Sequence, residues 1–231
     1  PIRRLETVRR DFVANVSHEL KTPLTVVGGF AETLLDPQLT AAQREQFVGT
    51  ILANTRRMQR IVDDLLDLSR IESGGWTPNP VTVEVAAFAN DVLSAVRAKG
   101  AAKGITLRVD VEPPALVMQA DPTALRQVLT NLVDNAIRHT TAGEVAIVVR
   151  KSDEGISVAV RDTGQGIRAE HLERIFERFY RVDAARSREE GGTGLGLAIV
   201  KHLVEAHGGR VRATSDGDTG TTVEALFPQV T

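Results

Sequence analysis

The hydrophobic period of this sequence changes once, and that change divides the chain. Up to Glu72 apolar residues recur at three-and-four spacing; beyond Ser73-Gly74-Gly75-Trp76-Thr77-Pro78-Asn79-Pro80, helical and strand patterns alternate. Leu5, Val8, Phe12, Val16 and Leu20 share one helix face and predict a helix from about residue 2 to residue 35. Pro23 predicts a kink within it, because the ring removes a backbone donor and crowds the preceding turn. Asp36-Pro37-Gln38-Leu39-Thr40 ends that helix, and Phe47, Ile51, Met58, Ile61, Leu65 and Leu68 predict a second over residues 40–72. Residues 1–73 therefore read as an αα-hairpin. Two helices cannot enclose a core alone, so their continuous apolar stripes predict pairing with a second copy: a homodimer built as a four-helix bundle.

Residues 74–80 read as a linker and residues 81–231 as a second domain. Its patterns predict strands over 81–85, 105–111, 116–119, 144–151, 156–162, 210–215 and 221–227, and helices near 86–103, 122–139 and 194–206. The hairpin around Asp153-Glu154-Gly155 requires an antiparallel pair, so the expected domain is an α/β sandwich with a mixed sheet, and the fold class of the chain is α+β. The absence of cysteine removes disulfides, thiolate metal sites and cysteine nucleophiles together. With 28 basic against 30 acidic residues there is no global basic field, and no nucleic acid partner is expected. The uncharged stretch 22–31 carries two Gly and a Pro and falls far short of the roughly 20 apolar residues of a bilayer span, so no direct membrane contact is expected either. The sequence opens without Met, inside an amphipathic pattern, and reads as a piece of something longer.

Chemistry concentrates in a few segments. His18 lies in Ser17-His18-Glu19-Leu20-Lys21-Thr22-Pro23 on the first helix. A helical His among charged residues is commonly a solvated side chain. Glu19 favours a nucleophile instead, since a carboxylate that accepts from one ring nitrogen leaves the other lone pair free to attack. Thr22, one turn on, is placed to orient a water. A zinc motif of the His-Glu-x-x-His kind is excluded by Thr at position 22. In the run from Asn131 to His139, Asn131 and Asn135 share a helix face. Their amides either cap and pack, or offer hard oxygens to magnesium. Arg138 either reaches a phosphate or is a solvated helix charge.

Asp162-Thr163-Gly164-Gln165-Gly166-Ile167 follows a strand. It is either a plain turn or an adenine site, in which Asp162 accepts from the exocyclic amine and the glycines admit the base close to backbone. Gly191-Gly192-Thr193-Gly194-Leu195-Gly196-Leu197 opens a helix, where free amides and the dipole favour phosphate, and the alternative is a flexible loop. Its spacing matches neither the dinucleotide fingerprint nor the Walker loop. Between these segments, Ile175-Phe176-Glu177-Arg178-Phe179-Tyr180-Arg181 precedes a polar run to Glu190. The aromatics are either core or the anchors of a mobile lid, from which Arg181 and Arg186 would swing onto phosphate or remain solvated.

In this order the segments resemble the catalytic core of bacterial sensor histidine kinases, over essentially the whole chain. The run from His18 to Pro23 looks like the phosphoacceptor box, Asn131 to His139 the asparagine box, Asp162 to Gly166 and Gly192 to Gly196 the two glycine boxes, and Phe176 to Phe179 the phenylalanine box. Arg9-Arg10-Asp11-Phe12-Val13-Ala14-Asn15-Val16-Ser17 is similar to the phosphate-regulon sensor subgroup. The resemblance implies a Bergerat-type ATP-binding fold and a phosphoryl group moving from ATP to His18, then to an aspartate of a response-regulator receiver domain. It implies Glu19 as polarising carboxylate, Thr22 in regulator phosphatase activity, and Asn131 and Asn135 at Mg2+. It further implies that ATP is met by Arg138, His139, Asp162, Gly164, Gly166, Ile167, Arg181, Arg186, Gly192, Thr193, Gly194, Leu195, Gly196 and Leu197. The implied location is the cytoplasmic portion of an inner-membrane sensor. Arg138 stands where Lys is usual and adds a fork of donors; His139 replaces the frequent Tyr, which weakens the case for stacking there. Two other classes are weighed against this reading: an ATPase or serine kinase of the same nucleotide fold, which residues 1–72 argue against, and a silent dimeric scaffold that binds ATP structurally.

Overall fold

The computed structural model describes residues 2–113, 116–183 and 192–228, the side chains of residues 2–9 and 11 excepted. Helix α1 (Ile2–Thr33) runs through Pro23, and α2 (Ala41–Glu72) returns beside it. The α1 end falls two residues before the expected position 35, in a tight turn where the Leu35 amide donates to the Glu32 carbonyl at 3.1 Å. Arg44 ties this turn together by donating to the carbonyls of Leu34 (3.1 Å) and Asp36 (2.8 Å), which the helix end leaves without intrahelical partners. The start of α2 is a capping box: the Gln43 amide donates to the Thr40 hydroxyl at 3.2 Å and the Thr40 amide to Gln43 Oε1 at 2.9 Å. Phe30 and Phe47 stack across the hairpin with ring centroids 5.0 Å apart.

After the linker come β1 (Val81–Glu84), α3 (Val85–Ala102), β2 (Ile105–Glu112), β3 (Val117–Ala120) and α4 (Pro122–His139). The hairpin of β4 (Gly143–Ser152) and β5 (Gly155–Asp162) follows, then the short α5 (Ala169–Leu172) and a 3-10 turn over Arg174–Phe176. The last elements are α6 (Gly196–Ala206), β6 (Arg210–Ser215) and β7 (Thr221–Pro228). Five strands form one sheet in the order β2-β4-β5-β7-β6, with β2 and β4 parallel and every other neighbour antiparallel, so the sheet is mixed as expected. β1 and β3 pair separately as a two-stranded ribbon.

Alternate strand residues such as Val145, Ile147, Val149, Val158, Val160, Val223 and Ala225 meet Leu125, Leu129 and Ile137 of α4 and Ile199 and Leu203 of α6 in one buried core. Asp121 fixes the entry to α4 by accepting from the amides of Thr123 (2.9 Å) and Ala124 (3.0 Å). The second half of α2 does not stand apart from this domain. It leans on α6, and Leu68 belongs to the same buried core, with Leu65 and Ile71 packed against it.

Candidate nucleotide cleft and phosphoacceptor helix

One cleft of about 240 Å³ lies between α4, the turn after β5, the glycine turn before α6, and α2. Asn131, Asn135, Arg138 and His139 line it from α4, Asp162, Gly166 and Ile167 from the turn after β5, and Gly192, Thr193, Gly194, Gly196 and Leu197 from the glycine turn and the first residues of α6; Arg181 completes the expected set. Two expected residues stand elsewhere. Leu195 is fully buried in the core, because the residue that closes the glycine turn points inward beneath α6. Gly164 sits behind the cleft wall: its amide donates to Asp162 Oδ1 at 2.8 Å, and a Cβ there would stand 2.4 Å from the His139 carbonyl oxygen. It shapes the wall instead of lining it. Arg186 lies outside the described residues.

Asp162 Oδ1 also accepts from the Thr221 amide at 3.3 Å, while among the described residues Oδ2 takes no hydrogen bond. Burial pushes its carboxyl pKa up, against the lowering effect of those two amides. An acceptor fixed at one oxygen and open at the other suits an exocyclic amine. Close backbone approach supports the flat slot beside it: Gly166 has φ +72°, and a Cβ there would meet the Asp218 amide at 2.7 Å. Asn131 Nδ2 donates to the Gly196 carbonyl at 3.3 Å, so its amide nitrogen holds the start of α6 and its oxygen is the acceptor left over. Asn131, Asn135 and Asp134 supply hard oxygen donors, the kind a magnesium ion with bound phosphate takes. Among the described residues no group of three or more His, Asp or Glu is arranged to hold a metal.

His18 is exposed on α1. The Thr22 hydroxyl donates back to the His18 carbonyl at 3.2 Å, so it is turned onto the helix backbone. Glu19 does not make the expected hydrogen bond to an imidazole. Its Oε2 accepts from Arg57 Nη2 and from Arg181 Nη2, each at 2.9 Å, because two charged, fork-shaped donors compete better for a carboxylate than an imidazole. Arg181 Nη2 also donates to the Gly192 carbonyl at 2.6 Å and so ties α1 to the glycine turn.

The remaining contacts between hairpin and second domain follow α2. The Thr193 hydroxyl donates to Asp64 Oδ2 at 2.8 Å, Gln127 Nε2 donates to Asp67 Oδ2 at 2.7 Å, and Glu72 pairs with Arg178 and, at 3.1 Å, with His202. Phe12 meets Phe179 with ring centroids 6.0 Å apart. Arg60 and Asp64 line the cleft from α2, and sequence reasoning missed both, since two charges four apart on a helix look like an ordinary solvated face. Tyr180 was also missed as a lining residue; its hydroxyl lies 2.6 Å from His171 Nδ1, a partner that only the folded turn supplies.

Residues 120–231 match the family described as histidine kinase-, DNA gyrase B-, and HSP90-like ATPase, which defines the second domain as a nucleotide-binding module of that class. Residues 8–74 match the His Kinase A (phospho-acceptor) domain, whose segment holds His18. With both modules in this order, the chain belongs to the sensor histidine kinases. It is 41% identical over 227 residues to the sensor-like histidine kinase SenX3 of Mycobacterium tuberculosis, covering 97% of this chain and 55% of SenX3. The chain thus spans about half the length of that curated relative. Among solved structures, the Acinetobacter baumannii histidine kinase AdeS superposes with a TM-score of 0.75 at 25% identity, over 91% of this chain and 98% of that one. Full-length ShkA in complex with AMPPNP gives a TM-score of 0.71 at 31% identity, over 95% of this chain and 46% of that one.

Proposed function

We propose that this chain is an ATP-dependent protein-histidine kinase core that phosphorylates its own His18 and passes the phosphoryl group to a response-regulator aspartate. The observation that carries the reading is the pairing, in one chain, of an exposed His on a long helix with a cleft whose open acceptor, Asp162, and glycine turn suit adenine and phosphate. Residues 1–73 act as the dimerisation and phosphotransfer hairpin, 74–80 as the hinge and 81–231 as the ATP domain. The Asp162 carboxylate fixes the base, and Arg138 and the amides at the start of α6 hold phosphate oxygens. Asn131 and Asn135 would hold Mg2+ through their amide oxygens, and the ion would offset phosphate charge.

In the transfer a nitrogen of the His18 imidazole forms the new N–P bond while the bond from the γ-phosphorus to the bridging oxygen breaks and ADP leaves. Enzymatic help consists of alignment and charge compensation. Glu19 is the group that would take up and steady the imidazole once it is released from Arg57 and Arg181. On this reading the ATP domain swings to present its nucleotide to His18, with Gly74 and Gly75 of the linker giving the chain freedom to do so. Regulator docking and Thr22-assisted regulator phosphatase activity belong to the same reading.

The homodimer is supported by α2. Val48, Leu52, Val62 and Leu66 are 40–51% exposed and fall, with Thr55 and Gln59, on one continuous three-and-four stripe. In the longer protein, this portion would lie on the cytoplasmic side of an inner-membrane sensor; among the described residues no helix is long and apolar enough to cross a membrane.

The test is incubation with Mg2+ and γ-labelled ATP beside His18→Ala and Asn135→Ala. Acid-labile, base-stable label is expected on the wild type and on neither variant. Acid-resistant label that survives in His18→Ala would overturn the reading in favour of a serine or threonine kinase.

A further inference from the structure

Two carboxylates of the helical hairpin are bonded to groups that a triphosphate would need. Arg181 and Thr193 both line the cleft, yet the Arg181 guanidinium is given to Glu19 of α1 at 2.9 Å and the Thr193 hydroxyl to Asp64 of α2 at 2.8 Å. A carboxylate and a phosphate present the same pair of charged acceptor oxygens to such donors, so one can stand in for the other. The Glu19–Arg181 pair is dry, with side chains 13% and 7% exposed, so in this arrangement the guanidinium is taken up by the carboxylate. The cleft itself, at about 240 Å³, is smaller than the roughly 300–1,000 Å³ usual for small-molecule sites.

We infer that Glu19 and Asp64 mimic the nucleotide's phosphates, so that docking of the hairpin and binding of ATP compete for Arg181 and Thr193. This inference rests on the nucleotide reading of the cleft proposed above and adds its regulation. Burial pushes the Asp64 carboxyl pKa up, with the Thr193 hydroxyl the first opposing influence, so the charged form sits in the cleft wall at a cost that departure from the wall would relieve. Contacts outside the cleft, Glu72 with Arg178 and His202, and Asp67 with Gln127, hold the dock while phosphate is absent. Nucleotide then releases Glu19 beside the phosphoacceptor at the moment a phosphoryl donor is present. Linkage makes the effect reciprocal: docking weakens nucleotide binding by the same factor by which bound nucleotide weakens docking.

The experiment is calorimetric titration of the whole chain with Mg2+ and AMPPNP, for wild type, Glu19→Gln, Asp64→Ala, which frees the Thr193 hydroxyl, and Glu72→Ala, with small-angle scattering of each. Glu72 lies outside the cleft, so its removal loosens the dock without changing the charge around the nucleotide. Tightening of Kd in all three variants is expected, about tenfold at Glu19 and threefold at Glu72, together with a larger radius of gyration when wild type binds AMPPNP. Tightening at Glu19 and Asp64 alone would reduce the effect to local charge and overturn competition by docking. Unchanged or weaker binding in all three variants, with wild type still binding, would overturn the inference and leave the nucleotide reading standing. Absence of binding in wild type and every variant would overturn both.

Discussion

Arg181 and Glu19, 162 residues apart in sequence, meet at 2.9 Å with almost no solvent on either side chain, and Arg57 takes the same carboxylate oxygen from the other side. The chain thereby buries two positive charges around one negative, and the three groups act as a unit.

Arg57→Met leaves Glu19 with a single arginine. Removing one member of a buried ionic set costs about 2 kcal/mol when another partner remains, which for a chain of this length lowers the melting temperature by about 4–8 °C. Arg57→Lys, which still donates but without the fork, should recover part of that loss. Thermal unfolding followed by circular dichroism reads both; a drop below about 1 °C for the Met variant would show that the carboxylate does not depend on Arg57.

Gly164→Ala places a methyl group 2.4 Å from the His139 carbonyl oxygen and 2.9 Å from Asp162 Oδ1. Backbone at one side and the Asp162 carboxylate, proposed to fix adenine, at the other must shift together. Affinity for a non-hydrolysable ATP analogue should fall at least tenfold, about 1.4 kcal/mol, with far-ultraviolet dichroism unchanged. Unaltered affinity would place the base away from Asp162.

Leu52→Glu combined with Val62→Glu puts charge on the exposed apolar stripe of α2, where the wild-type side chains are 47% and 40% exposed. Burying either carboxylate at an interface without a partner is costly, so the dimer constant should weaken at least a hundredfold. Sedimentation equilibrium measures it. Wild type that sediments as a monomer at micromolar concentration would remove the dimer from the account.

Asp64 carries a pH signature. Its folded-state pKa is raised above the ordinary 3.8, chiefly by burial, so the folded chain favours the proton. Relative to Asp64→Asn, wild type is therefore least penalised below pH 3.8 and loses stability as pH rises through the raised value. The difference in melting temperature, variant minus wild type, should be small at pH 3.5, grow with pH, and level off once the folded group has ionised. A difference that shrinks with rising pH would mean that the Thr193 hydrogen bond outweighs desolvation.

The segments that line the candidate cleft were legible because each is contiguous. Asp162 to Gly166 and Gly192 to Gly196 announce themselves by glycines where backbone must approach backbone, and Asn131 with Asn135 by helical spacing. One strand pairing also followed from a local signal: the Asp153-Glu154-Gly155 turn dictated an antiparallel pair, and the run from Asp36 to Thr40 marked the break between α1 and α2. Contacts between distant segments left no such mark. Arg60 and Asp64 have the spacing of any solvated helix face, and only the lean of α2 on α6 turns them toward the cleft. Leu195 shows the opposite failure. Flanked by glycines in a phosphate-type turn, it reads as a ligand contact, yet its apolar side chain is better used under α6. Glu19 was read through its sequence neighbour His18, whereas its actual partners come from residues 57 and 181.

The place of β7 in the sheet sets the order in which this chain can mature. It is the last strand of the fold but lies between β5 and β6, so both of those strands present bare hydrogen-bonding edges until it arrives. A nascent polypeptide can form its helical hairpin from neighbouring residues alone, whereas the ATP module stays an open, adhesive sheet through most of its synthesis. A chain that ends before residue 221 would therefore hold every residue of its helical hairpin while its sheet lacked the strand that joins β5 to β6.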